Sequence, residues 1–195
     1  QRISAKVAWD DLKKLMADRP EDLIEILAQA LPVRHAIWWG LLCGTGVDQF
    51  AASQESASCI QAVLEWIFQT DETRRLKVKS VAEHTDWKLA EGLLARAVSW
   101  SSGSILPDSI PAFYPAPNGV TGQMIASGVR SFASRNRTFE YGDLLWHFIN
   151  LAEGVSQGML LPEGWERQNL NLGESKMISL DLPTIGISGE LGFGY

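Results

Sequence analysis

The chain has 195 residues, 46% hydrophobic and 21% charged, with a formal net charge of −6 and a sequence pI near 5.1. That is the composition of a globular protein. Its acidity argues against generic nucleic-acid binding and against docking on an anionic membrane, since both need a basic surface. No apolar run approaches the roughly 20 residues that span a bilayer; the longest, AIWWGLLC from Ala36 to Cys43, fits a buried stretch of helix.

The first segment, Ser4 to Asp18, carries Val7, Leu12, Leu15 and Met16 at loosely helical spacing, with Asp10, Asp11, Lys13 and Lys14 between them. Pro20-Glu21-Asp22 reads as a helix start, because proline suits the first turn and acids favour the positive end of the helix dipole. Leu23, Leu27, Ala30 and Leu31 mark one face, and Pro32 ends that helix and begins the next. The third helix passes Cys43 and stops at Gly44–Gly46. Ser53 to Gln69 is the clearest amphipathic stretch, with Ile60, Val63, Leu64 and Ile67 on one stripe. Thr70-Asp71-Glu72 caps a basic helix, and Asp86 is expected to open another with Leu89, Leu93, Ala97 and Trp100 on its face.

Helical spacing breaks from Ser101 to Gly119. Four prolines exclude a regular helix, and the apolar content is too high for a disordered linker. An ordered strap is expected, with Ile105, Leu106, Ile110, Phe113 and Tyr114 packed onto the helices. Val120 to Arg135 and Phe139 to Gln157 resume helical spacing. The predicted fold is all-α: about eight short helices in antiparallel hairpins, a proline-rich strap, and a C-terminal β-like extension. Residues 1–157 form the helical domain, with the strap at 101–119, and residues 158–195 an extended tail.

The tail is strand-like at 177–182 and 185–195, where Ile185, Ile187, Leu191, Phe193 and Tyr195 share one parity and glycines fill much of the other. A strand of that length needs an edge to pair with. Three outcomes stay open: folding back onto the helices, strand addition to a partner or a second copy, or ordering only on binding.

LPVRHAIWWGLLC (Leu31–Cys43) is the most distinctive stretch. With the DETRR start of the basic helix, VAEHTDW (Val81–Trp87) and the strap SWSSGSILPDSIPAFYPAP (Ser99–Pro117), it resembles a bacterial family of unknown function. That family carries an LPxRxAxWW signature and a Ser-Gly-Gly-Ser strap followed by prolines; here Ser102 replaces the first of those glycines. The resemblance covers Leu31 to Gln157 and implies a Gram-negative setting, sometimes near type VI secretion components, with no activity attached. Arg34 and Trp38 are one helical turn apart, and adjacent Trp38 and Trp39 face two packing surfaces. They read as a structural knot, or alternatively as a binding surface, since tryptophan and arginine dominate interface hot spots.

Catalytic spacings are missing. The sequence has no His-Glu-x-x-His, Cys-x-x-Cys, Walker or Gly-x-Ser-x-Gly motif, so no catalytic residue, cofactor or metal is expected. His35, His84 and His147 fall on separate helices without a second ligand at helical spacing. Arg74, Arg75, Lys77 and Lys79 form a basic run, read as a solvated face or a site for an acidic partner. Ser99, Ser101, Ser102 and Ser104 suit turns and helix C-capping. Cys43 and Cys59, among apolar helical residues, read as reduced core thiols and a cytoplasmic setting. The expected function is that of a non-enzymatic binding or adaptor protein with the tail as docking element for a protein partner or a second copy. The alternative is an enzyme with a pocket between helices and strap, built on Arg34, His35, Asp143 and His147.

Overall fold

The computed structural model describes residues 2–47, 50–106 and 109–162. Within them lie eight helices: α1 (Arg2–Leu15), α2 (Pro20–Ala30), α3 (Val33–Thr45), α4 (Gln54–Phe68), α5 (Glu72–Glu83), α6 (Ala90–Ser99), α7 (Val120–Arg135) and α8 (Tyr141–Ser156). The described residues contain no strand, only one isolated antiparallel bridge between Ser104 and Pro115. The strand expectations at 177–182 and 185–195 lie outside the described residues.

Helix ends follow local chemistry. Pro20 occupies the first turn of α2, with Glu21 and Asp22 beside it, and Pro32 separates α2 from α3. The Ser53 hydroxyl caps α4 by accepting from Ser56 N at 3.0 Å, and the Asp71 carboxylate caps α5 by accepting from Arg74 N at 2.8 Å. Asp86 departs from expectation. Its Oδ1 accepts from Lys88 N at 2.9 Å, a local turn that delays the helix, so α6 begins at Ala90.

The stripe expected on α6 is also corrected. Ala90, Leu94, Ala95, Ala97 and Val98 are buried, whereas Leu89, Leu93 and Trp100 are only half-buried. The reason is position: α6 packs against α3, α4, α5 and α7, so it is covered nearly all round. Its small residues permit this. A Cβ on Gly40 of α3 would stand 2.7 Å from Leu94 Cδ2, and one on Gly128 of α7 would stand 3.3 Å from the same atom. Two glycines thus let α3 and α7 close on Leu94 from separate helices.

The body also closes end to end. α2 packs on α7 and α8, and α3 packs on α6, α7 and α8. A solenoid, in which each repeat meets only its neighbours, is therefore not this fold. Helix α1 lies at the margin; its half-buried Trp9 and Leu12, and Met16 just after it, rest on the core. One carboxylate holds it there: Glu153 Oε2 accepts from Trp9 Nε1 at 3.1 Å and from Lys13 Nζ at 3.0 Å.

The strap is ordered but not packed as expected. Ile105 N donates to Tyr114 O at 2.9 Å, and the Ser104 hydroxyl accepts from Leu106 N and Tyr114 N. Gly103, at φ +73°, lets the chain lie against the Arg75 guanidinium, where a Cβ would stand 2.7 Å from Nη2. Ile105 and Leu106 are half-buried, but Ile110, Phe113 and Tyr114 are 45%, 72% and 57% exposed. The bridge turns the loop outward, and apolar residues that sequence alone assigns to the core stand in solvent.

Candidate functional site

The Leu31–Cys43 signature is a knot of buried donors. Trp39 Nε1 donates to Phe148 O at 2.8 Å and Trp38 Nε1 to Leu160 O at 2.7 Å, tying α3 to α8 and to the chain beyond it. Arg34 Nε donates to Ile67 O at 2.7 Å, at the end of α4. Trp38 and Trp39 are 3% and 0% exposed, so they do not form an outward binding surface. A buried indole needs an acceptor for its N–H; Phe148 O, in the middle of α8, and Leu160 O, beyond its end, supply one each.

The basic run is not one exposed face. Arg74 pairs with Asp71, and Lys77 pairs with Glu65. Arg75 and Lys79, one turn apart, are buried with Val78 and Ala82 on the side of α5 that meets α4 and α6. Arg75 donates through Nε and Nη2 to the Glu72 carboxylate at 2.7 and 2.6 Å, and through Nη1 to Ser99 O. The expectation of a solvated basic patch is corrected accordingly; helix periodicity splits the four cations between solvent and packing.

The acid–base quartet gains no support from local geometry. Asp143 is exposed and, among the described residues, forms no hydrogen bond with His147. Burial alone pushes His147 below its ordinary value. Burial, and then the Arg34 charge, does the same to His35. Tyr141 is pushed up to about 12 by burial and by its hydrogen bond to Glu21. Among the described residues no group of three or more His, Cys, Asp or Glu side chains could hold a metal ion. The serines act as expected of them: Ser99 Oγ donates to Arg96 O and Ser101 Oγ to Val98 O at the end of α6. Cys43 and Cys59 are free thiols, both buried, and burial pushes both thiols up.

Two features were not legible as sites in the sequence. The first is a buried charge set on α6. Glu91 is fully buried and accepts from Arg135 Nη2 through both oxygens at 3.0 Å, joining α6 to α7. Arg96, 4% exposed, donates Nη2 to Thr85 O and lies 3.9 Å from the Trp87 ring centre. The one available signal is composition: two charges in a helix otherwise made of Ala, Gly, Leu, Val and Ser. The second is a pair of aromatic surfaces. Trp87, 56% exposed, sits 5.7 Å from Trp100, and the strap presents Phe113 and Tyr114.

With this geometry in view, the comparisons with known proteins are brief. The model of a family of unknown function, DUF6931, matches residues 12–156. This chain belongs to that family. The matched residues run from the second half of α1 to the last turn of α8, so the DUF6931 region takes in α2 and the strap and starts before Leu31. No curated protein and no solved structure matches the chain.

Proposed function

We propose that this DUF6931 protein is a non-enzymatic binding or adaptor protein: a helical body that presents docking elements to a protein partner. The observation that carries the reading is the strap. Phe113 and Tyr114 are held outward on a loop closed by backbone and Ser104 hydrogen bonds. Exposed aromatics on a preorganised loop lose little entropy on binding, and aromatic anchors dominate interface energy. The polar side chains add to it: Trp38, Trp39, Arg34, Arg75 and Glu91 all bond to other parts of the body, which is packing chemistry.

The tail, through Ile185, Ile187, Leu191, Phe193 and Tyr195, is proposed as a second docking element beside the strap. The reading places the protein in the cytoplasm, and the resemblance makes components of a bacterial secretion machine the first partners to test. Affinity capture from the native cell tests this with three baits: the full chain, the chain carrying Phe113→Ser with Tyr114→Ser, and the chain ending at Pro183. A partner held by the full chain and lost with the strap variant supports the strap; loss on truncation assigns the tail. Equal capture by all three refutes both, and turnover of a small molecule by the purified chain would favour the enzyme.

A further inference from the structure

Of the described tryptophans Trp87 alone is exposed; the others are buried or half-buried. It stands on a turn fixed from both sides. Thr85 O accepts from Arg96 Nη2, the Glu55 carboxylate accepts from Asp86 N at 2.7 Å, and the Asp86 carboxylate accepts from Lys88 N at 2.9 Å. The turn also lies tight on α6: a Cβ on Gly92 would stand 2.7 Å from Thr85 Cγ2 and 3.0 Å from Asp86 O. An exposed indole held this way loses little entropy when something docks on it, and tryptophan is a leading interface anchor.

Charge decides what docks. The buried Arg96 guanidinium lies 3.9 Å from the ring centre, so the exposed part of Trp87 is on the side away from it. Glu55 and Asp86 border the same turn. Both are exposed and both act on the Arg96 charge, and neither forms a salt bridge among the described residues. Lys88, exposed in the same turn, pairs with neither. Two carboxylates thus stand against one buried guanidinium, and a second planar cation would complete the set. A guanidinium fits, because it stacks on an indole and donates to carboxylates in a fixed fork, which an ammonium lacks. The net charge of −6 also draws basic partners. Small-molecule sites enclose most of their ligand, whereas this ring stands in the open, so a protein segment with further contacts is the fitting carrier.

We propose that the Trp87 turn docks an arginine side chain carried on a basic segment of a protein partner, the guanidinium lying on the open side of the indole and donating to Glu55 and Asp86. Arg96, the Trp87 ring and the incoming arginine then form one stack. The site is separate from the strap, so this inference and the strap reading can fail independently.

Titration of the full chain with a short glycine-serine peptide carrying several arginines tests the site. Binding is read by calorimetry and by the indole N–H resonance of Trp87, identified by its loss in Trp87→Ala. The expected result is a saturable shift of that resonance, with affinity weakened about fivefold or more by Trp87→Ala and by Glu55→Gln combined with Asp86→Asn. The amide replacements keep acceptors for Asp86 N and Lys88 N, and circular dichroism confirms that both variants are folded. The same peptide with citrulline in place of arginine keeps the shape and loses the charge; it and free arginine at equal concentration should leave the resonance in place. A shift of equal size with citrulline means a merely apolar contact, and one with free arginine means a small-molecule site; either overturns the inference. So does a resonance that never moves, or peptide binding that neither variant weakens, which is diffuse attraction to an acidic surface.

Discussion

Gly40→Ala tests the packing at the centre of the body. The added Cβ would stand 2.7 Å from Leu94 Cδ2 and 3.3 Å from Cδ1. A leucine tip can often yield a few tenths of an ångström, but Leu94 is fully buried and Gly128 closes on it from α7. Overpacking of this kind costs about 1–3 kcal/mol. Replacing glycine by alanine inside a helix returns about 1 kcal/mol. The balance is a loss of about 1 kcal/mol, or a Tm lower by about 2–4 °C for a chain of this size. The sign should reverse in a Leu94→Ala background. There the obstructing methyls are gone, and Gly40→Ala should stabilise by about 1 kcal/mol on top of the ~2–5 kcal/mol that Leu94→Ala removes. Thermal melts of the four proteins complete the cycle. A rise in Tm on Gly40→Ala alone would mean that Leu94 yields to the added methyl without cost, and the account of a tightly closed centre would fail.

Three further outcomes follow from other parts of the body. Trp39→Phe keeps most of the ring volume but loses the bond to Phe148 O, and denaturant unfolding should show a loss of about 1 kcal/mol plus a small cavity contribution; no loss would remove Trp39 from the knot. Burial raises the Glu153 carboxyl, but the hydrogen bonds from Lys13 and Trp9 outweigh it, so the folded value is lowered from 4.5. The stability this gives is complete above the unfolded value and is lost as pH falls through the folded one. Protection of the α1 amides against hydrogen exchange, relative to their intrinsic rates, should therefore fall below about pH 4.5, and Glu153→Gln should lower that protection at neutral pH and flatten its pH dependence. Cys43 and Cys59, buried with raised thiols, should resist a thiol reagent in the native state and react on unfolding; fast native labelling would place them outside the core.

Much of the fold was readable because local rules acted alone. Proline at 20 and 32, the side-chain caps at Ser53 and Asp71, and the glycine stop after α3 need only neighbouring residues to act. The stripes of α4, α7 and α8 were legible for a similar reason, since each of these helices keeps a polar side. The candidate site was less legible. Arg75 and Lys79 look like their neighbours Arg74 and Lys77 in a list of charges, and only the packing of α5 separates them.

The sequence by itself determined where α2, α3, α4 and α5 start, that Trp38 and Trp39 point to two surfaces, and that 101–119 is no helix; turn chemistry and 3.6-residue periodicity act within a few residues. Tertiary structure alone decided that α6 is central, that Glu91 and Arg96 are buried, and that Phe113 and Tyr114 face solvent. Burial depends on what approaches from distant parts of the chain. A leucine or an arginine carries the same local signal whether a second helix covers it or water does.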